Sequence, residues 1–192
     1  VLALTPANTP DSAKKRNDWV ERQAAAIYKQ GEQARANGQA RQAAELFARV
    51  GEAAPQSSVR VAAQFDAATQ WLALKDWPAA TRVLEDFRQR FPREPLQAQV
   101  PAKLALAYSE QGQWALAAAE FERVAQTATE PDMARAALWQ TAELYERAAQ
   151  GNTSTTTRAS AAQAWERYLR SHPAPLEPAL EARAHLAQWA RL

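Results

Sequence analysis

Apolar residues along this chain return every three or four positions, with polar residues between them, which is the period of amphipathic helices. Between Gln97 and Gln111, Val100, Leu104, Ala107 and Tyr108 fall on one face. Gly112 interrupts in the role of a helix-ending glycine, and Trp114, Ala117, Ala118, Phe121 and Val124 form the next stripe. The same pattern predicts helix pairs at Ala24–Ala36 with Ala40–Ala53, Val61–Leu74 with Trp77–Phe91, and Met133–Ala148 with Ala159–Ser171. A helix capped by Ser12 leads through Trp19 into the first pair, and Leu176–Leu192 predicts a last, unpaired helix. Residues 1–11, with Pro6, Pro10 and no periodicity, read as a disordered leader.

The pairs are spaced like marks on a ruler. Ala43, Phe47 and Pro55 recur 37 residues later as Ala80, Leu84 and Pro92, and again as Ala117, Phe121 and Thr129. Ala161, Trp165 and Pro173 follow after 44, the extra 7 residues coinciding with the polar stretch Gly151 to Thr157. Each unit of such an array buries its apolar face against the next. The expected fold is all-α: a right-handed α-solenoid of about four helix-turn-helix units (24–57, 61–94, 98–131 and 135–173) with flanking helices, in one domain spanning 12–192. Phe47, Leu84, Phe121 and Trp165 should fill the gaps between units. Trp71, Trp77, Trp114 and Trp189 also fall at packing positions, and Trp19 should hold the leading helix to the array.

Composition narrows the function. Alanine supplies 47 of 192 residues against 5 glycines, and strand-like alternation is lacking. The 23 basic and 21 acidic side chains are interleaved, and Lys14-Lys15-Arg16 is the only short basic run, so nucleic acid is not an expected partner. No apolar run approaches the roughly 18 residues of a span, so direct membrane insertion is not expected. There is no cysteine. His172 and His185 lie 13 apart across a Pro-Ala-Pro turn with no ligand at i+4, and read as surface or cap residues rather than a metal site. Glu143 and Glu146 could be drawn as a carboxylate pair, but a solvated face is the plainer reading. No nucleophile–base arrangement or phosphate-cradling loop occurs, so neither catalysis nor a cofactor is expected. The start at Val1, without Met, reads as a processing site or a cut within a longer protein.

The repeated residues resemble the tetratricopeptide repeat, a helix–turn–helix of about 34 residues with W-x2-L-G-x2-Y, then A-x3-F and a closing proline. Leu104-Ala105-x2-Tyr108 is similar to the first part, with Gly31 and Ala142 in the small-residue slot of other units. Gly112-Gln113-Trp114-x2-Ala117-x3-Phe121 and Gly38-Gln39-x3-Ala43-x3-Phe47 are similar to the second. The longer link, as in Phe91-Pro92-Arg93-Glu94-Pro95, resembles repeats of bacterial envelope proteins of the β-barrel assembly lipoprotein and Tol-Pal cell-division coordinator type.

The resemblance implies a non-enzymatic scaffold that binds another protein, in a periplasmic or outer-membrane-associated setting. The alternative is a non-catalytic superhelical domain of a larger envelope enzyme acting on peptidoglycan or polysaccharide. It also implies a concave groove lined by the first helix of each unit. On that face Tyr28, Phe65, Ala102 and Trp139 form a row 37 residues apart. Glu32, Arg35, Thr69, Leu72, Leu106, Glu110, Glu143, Glu146 and Arg147 should flank it. Aromatics between charges of both signs suit an extended peptide or an amphipathic helix. Ala25, Ala62 and Thr69 stand where chaperone-binding relatives clamp a carboxylate, so that class of partner is not implied. Leu186 and Trp189 correspond to Ala142 and Tyr145, so the last helix should either cap the array or expose an apolar face that continues into a missing segment or a second subunit.

Overall fold

The 37-residue ruler is visible in the backbone itself. Gly38, Lys75 and Gly112 all adopt positive φ, at 74°, 57° and 69°. At each, the next residue donates its N–H five residues back: Gln39 to Ala34 O, Asp76 to Trp71 O and Gln113 to Tyr108 O, all at 2.9–3.0 Å. This paired closure satisfies the last carbonyls of a helix and reverses the chain. Glycine takes that conformation freely, whereas Lys75 takes it against the clash of its own Cβ.

The computed structural model describes residues 10–150, 155–173 and 176–189. Its α-helices are α1 (Pro10–Ala36), α2 (Ala40–Ala53), α3 (Arg60–Ala73), α4 (Trp77–Arg90), α5 (Val100–Glu110), α6 (Trp114–Thr127), α7 (Pro131–Gln150), α8 (Thr155–Ser171) and α9 (Leu176–Trp189). A 3-10 turn, Pro95–Gln99, precedes α5. Among the described residues the fold is all-α, and within each unit successive helices pack in chain order, as in an α-solenoid. The chain divides into two compact units, Val1–Pro92 and Arg93–Leu192.

In the first unit α1 is continuous and begins at Pro10, so Ser12, expected as its cap, lies inside its first turn, and Pro10 and Asp11 belong to the helix rather than to the expected leader. Residues 1–9 of the expected leader lie outside the described residues. Ala24, Ile27 and Ala34 are buried along one stripe of α1. Between them Gly31 admits the ring of Phe47: a Cβ there would lie 2.6 Å from Phe47 Cε1. Phe47, Val50, Leu84 and Phe87 are fully buried. Asp76 caps α4 by accepting from the Ala79 N–H at 3.2 Å, with Pro78 in the first turn, where its missing donor costs nothing. Glu21 ties α1 to the link after α2, accepting from Ser57 Oγ at 2.7 Å and Ser58 N at 3.0 Å. Those two bonds hold its carboxyl below the usual glutamate range. Trp19 corrects the sequence expectation. It is 66% exposed, because Val20, not Trp19, shares the stripe of Ala24 and Ile27.

In the second unit Pro101 falls in the first turn of α5, and Val100, Leu104, Ala105 and Ala107 face inward. Phe121 is only half-buried beside Ala117, Ala118 and Leu144, whereas its equivalent Trp165 is fully buried. Helix α8 starts at Thr155, so the second half of the polar stretch is helical rather than inserted. Its first part, 151–154, lies outside the described residues. The last helix is not unpaired. Ala182 and Trp189 of α9 join Ala142, Ala149, Ala161, Trp165 and Tyr168 in one cluster.

Candidate partner-binding face

In the first unit the residues expected to line a groove are engaged with one another. Tyr28 donates its hydroxyl to Asp66 Oδ2 at 2.6 Å and its ring lies 5.2 Å from Phe47. Arg35 completes the link from α1 to α3, 3.6 Å from Asp66, 3.9 Å from Glu32 and 5.5 Å above the Phe47 ring. Burial, reinforced by the Asp66 carboxylate, pushes the Tyr28 phenol up to about 12. Phe65 is 7% exposed and edge-on to Phe87 at 5.4 Å, which corrects its reading as an accessible anchor. Thr69 returns its hydroxyl to Phe65 O at 3.1 Å, and Leu72 is half-buried.

The second unit differs. Leu106 on α5 is 47% exposed, and Glu110 is exposed. On α7 Trp139 is half-buried, held edge-on by Trp165 at 4.8 Å and Tyr168 at 5.1 Å. Beside it opens a cavity of about 370 Å³, lined by Arg135, Trp139 and Gln140 of α7, Tyr168 of α8 and Glu181 of α9. A second cavity of about 280 Å³ is lined by Gln140, Glu143, Glu146 and Arg147 of α7 with His185 of α9. Gln140 lines both, so the two are neighbours along α7. The Arg147 guanidinium lies 4.8 Å over the Trp114 ring, and Glu143 accepts from Gln140 Nε2 at 2.8 Å.

Glu146 and His185 differ from the solvated-face and surface readings given to them by the sequence. Glu146 is not on a solvated face: it is 7% exposed, its Oε2 accepts from Trp165 Nε1 at 3.2 Å, and the same oxygen lies 2.9 Å from His185 Nδ1. The imidazole stacks on Trp165, with centroids 4.7 Å apart and planes 13° from parallel. His185 is therefore built into the unit rather than a loose surface or cap residue. The signal that could have found it was present. The 44-residue shift that matches Leu186 with Ala142 makes α9 the first helix of a further repeat, and such a helix packs beside α7.

Among the described residues no three His, Cys, Asp or Glu are grouped to hold a metal ion, and no helix is long and apolar enough to cross a membrane. No curated protein matches the chain in sequence. One solved structure, titled "MamA AMB-1 P212121", is 16% identical, covers 88% of this chain and 92% of its own, and superposes with a TM-score of 0.47. Residues 25–57 and 103–128 match the family model described as tetratricopeptide repeat. That match supports tetratricopeptide repeats at α1–α2 and at α5–α6, repeats that generally mediate contacts between proteins.

Proposed function

We propose that the chain is a non-enzymatic protein-interaction scaffold that receives an extended peptide or an amphipathic helix of another protein along the α7–α9 face of its second unit. The carrying observation is the pair of neighbouring cavities that share Gln140 as a lining residue. One has an aromatic floor, Trp139 and Tyr168, which supplies apolar area. The other is polar, with Glu143, Glu146 and Arg147, which supplies register. Trp139 is fixed by two edge-on rings, so ordering it on binding costs little, the property of a good anchor. The proposed setting is a bacterial cell envelope, periplasmic or outer-membrane-associated, supported by the likeness of the Phe-Pro links to envelope repeats. The same face would serve equally within a larger envelope enzyme.

Affinity capture with the folded chain tests the reading. Ala136 is exposed and borders the aromatic cavity, so Ala136→Arg should block it without entering the core. Proteins captured by the wild type should be lost with Ala136→Arg and retained with Glu32→Arg on α1. Loss with the α1 variant alone would place the binding face in the first unit.

A further inference from the structure

We infer that the polar cavity of the second unit is a socket for one basic side chain, a lysine or arginine of the bound partner, with Glu146 as its counter-charge. The inference rests on the reading of this face as a protein-binding site and adds the chemistry of what enters it. Glu146 has a side chain 9% exposed, and both of its close partners, the donor Trp165 Nε1 and the His185 Nδ1 atom, stand at the same oxygen, Oε2. Among the described residues nothing donates to Oε1, and Glu146 lines the cavity of about 280 Å³. An oxygen that borders the cavity can accept from whatever enters it, and a cationic donor bonds a carboxylate most strongly. Glu143 stands one turn away on the same wall, engaged through Oε2 by the neutral amide of Gln140. Arg147 is the basic residue of the lining, yet it sits over Trp114 and makes no ion pair with either glutamate among the described residues. Two carboxylates stand in the lining against one arginine, an excess complementary to an ammonium or guanidinium. Gln140 lines this socket and the aromatic cavity alike, so the partner would present a basic residue close to an apolar one.

The test uses the full chain and n-butylammonium chloride, which copies the end of a lysine, titrated at constant ionic strength against sodium chloride, with 1-butanol as the neutral control. The readout is the assigned indole N–H resonance of Trp165. A cation at Oε1 draws electron density from the carboxylate, weakens the bond accepted at Oε2 and moves that proton upfield. The shift should saturate with the ammonium and not with butanol. Glu146→Gln should weaken binding by about tenfold or more. Because Glu146→Gln touches the packed node, Gln140→Lys provides a second variant: it places an ammonium at the cavity wall from the protein's own exposed side and should abolish the titration with the fold intact. A shift that sodium chloride or butanol reproduces, or that survives Gln140→Lys, overturns the inference. Partner capture that remains sensitive to Ala136→Arg would then show that only the socket has failed.

Discussion

The same contact is made twice in this molecule, with opposite consequences. In the first unit Phe65 of α3 packs edge-on against Phe87 of α4; in the second, Trp139 of α7 packs edge-on against Tyr168 of α8. The residues are equivalent by the repeat spacing. A phenyl ring is covered by that partner, and Phe65 ends 7% exposed. The larger indole of Trp139 is only partly covered and floors a cavity. The charged neighbours diverge in the same way. Tyr28, Asp66 and Arg35 satisfy one another across α1 and α3, whereas Glu146 leaves an oxygen facing open space. A repeat thus fixes where a side chain stands, while its bulk and its neighbours' polarity decide whether it holds the unit together or faces a partner.

The largest expected effect separates the two cores. Phe47→Ala removes a fully buried ring and should destabilise the first unit by about 3–5 kcal/mol. Phe121→Ala, at the equivalent but half-buried position, should cost the second unit less, about 1–3 kcal/mol. Urea unfolding followed by hydrogen exchange in each unit measures both, and equal losses would erase the difference between the cores. Next in size is Gly31→Ala. Its Cβ would press on the Phe47 ring, which is enclosed and cannot move aside, so the first unit should lose about 1–3 kcal/mol by the same measurement. No change would mean that α1 and α2 can part without loss.

A smaller effect, of opposite sign, is expected at the turn where lysine stands in place of glycine. Lys75→Gly relieves the left-handed strain but loosens the unfolded chain, for a net gain of up to about 1 kcal/mol. A fall in melting temperature would show that the lysine side chain contributes something its backbone angle hides. The subtlest test concerns Tyr28. Its folded pKa, about 12, lies above its unfolded value of about 10. Its contribution is therefore complete below pH 10 and is lost as pH rises toward 12. Tyr28→Phe should remove that part of the alkaline decline, read as the difference between the two stability–pH curves. Parallel curves would mean that the Asp66 bond is not holding α1 to α3.

Much of the fold was legible because its marks are local. Gly38 and Gly112 announce their turns, and the spacing of Ala43, Ala80 and Ala117 sets which helix pairs with which. The start of α8 was not legible, because Thr155 to Thr157 look like loop residues yet continue a helix that packing supports. The site was read less well than the fold. Trp139, Glu143 and Arg147, expected along a concave groove, line two cavities in the structure, whereas Phe65 is buried, because the burial of a groove-row aromatic depends on the residue facing it rather than on its register. The Glu146–His185 contact spans 39 residues and two helices, and neither residue carries a local pattern that points to the other.

The central claim is that the α7–α9 face is open to a partner and the α1–α3 face is closed on itself. Amide spectra of the chain with a protein captured by the wild type test it most directly. The account predicts shifts and broadening gathered at Ala136, Gln140, Glu143, Arg147 and His185, with Tyr28, Glu32, Arg35 and Asp66 unmoved. Perturbations gathered instead on the Tyr28–Asp66–Arg35 face would contradict it.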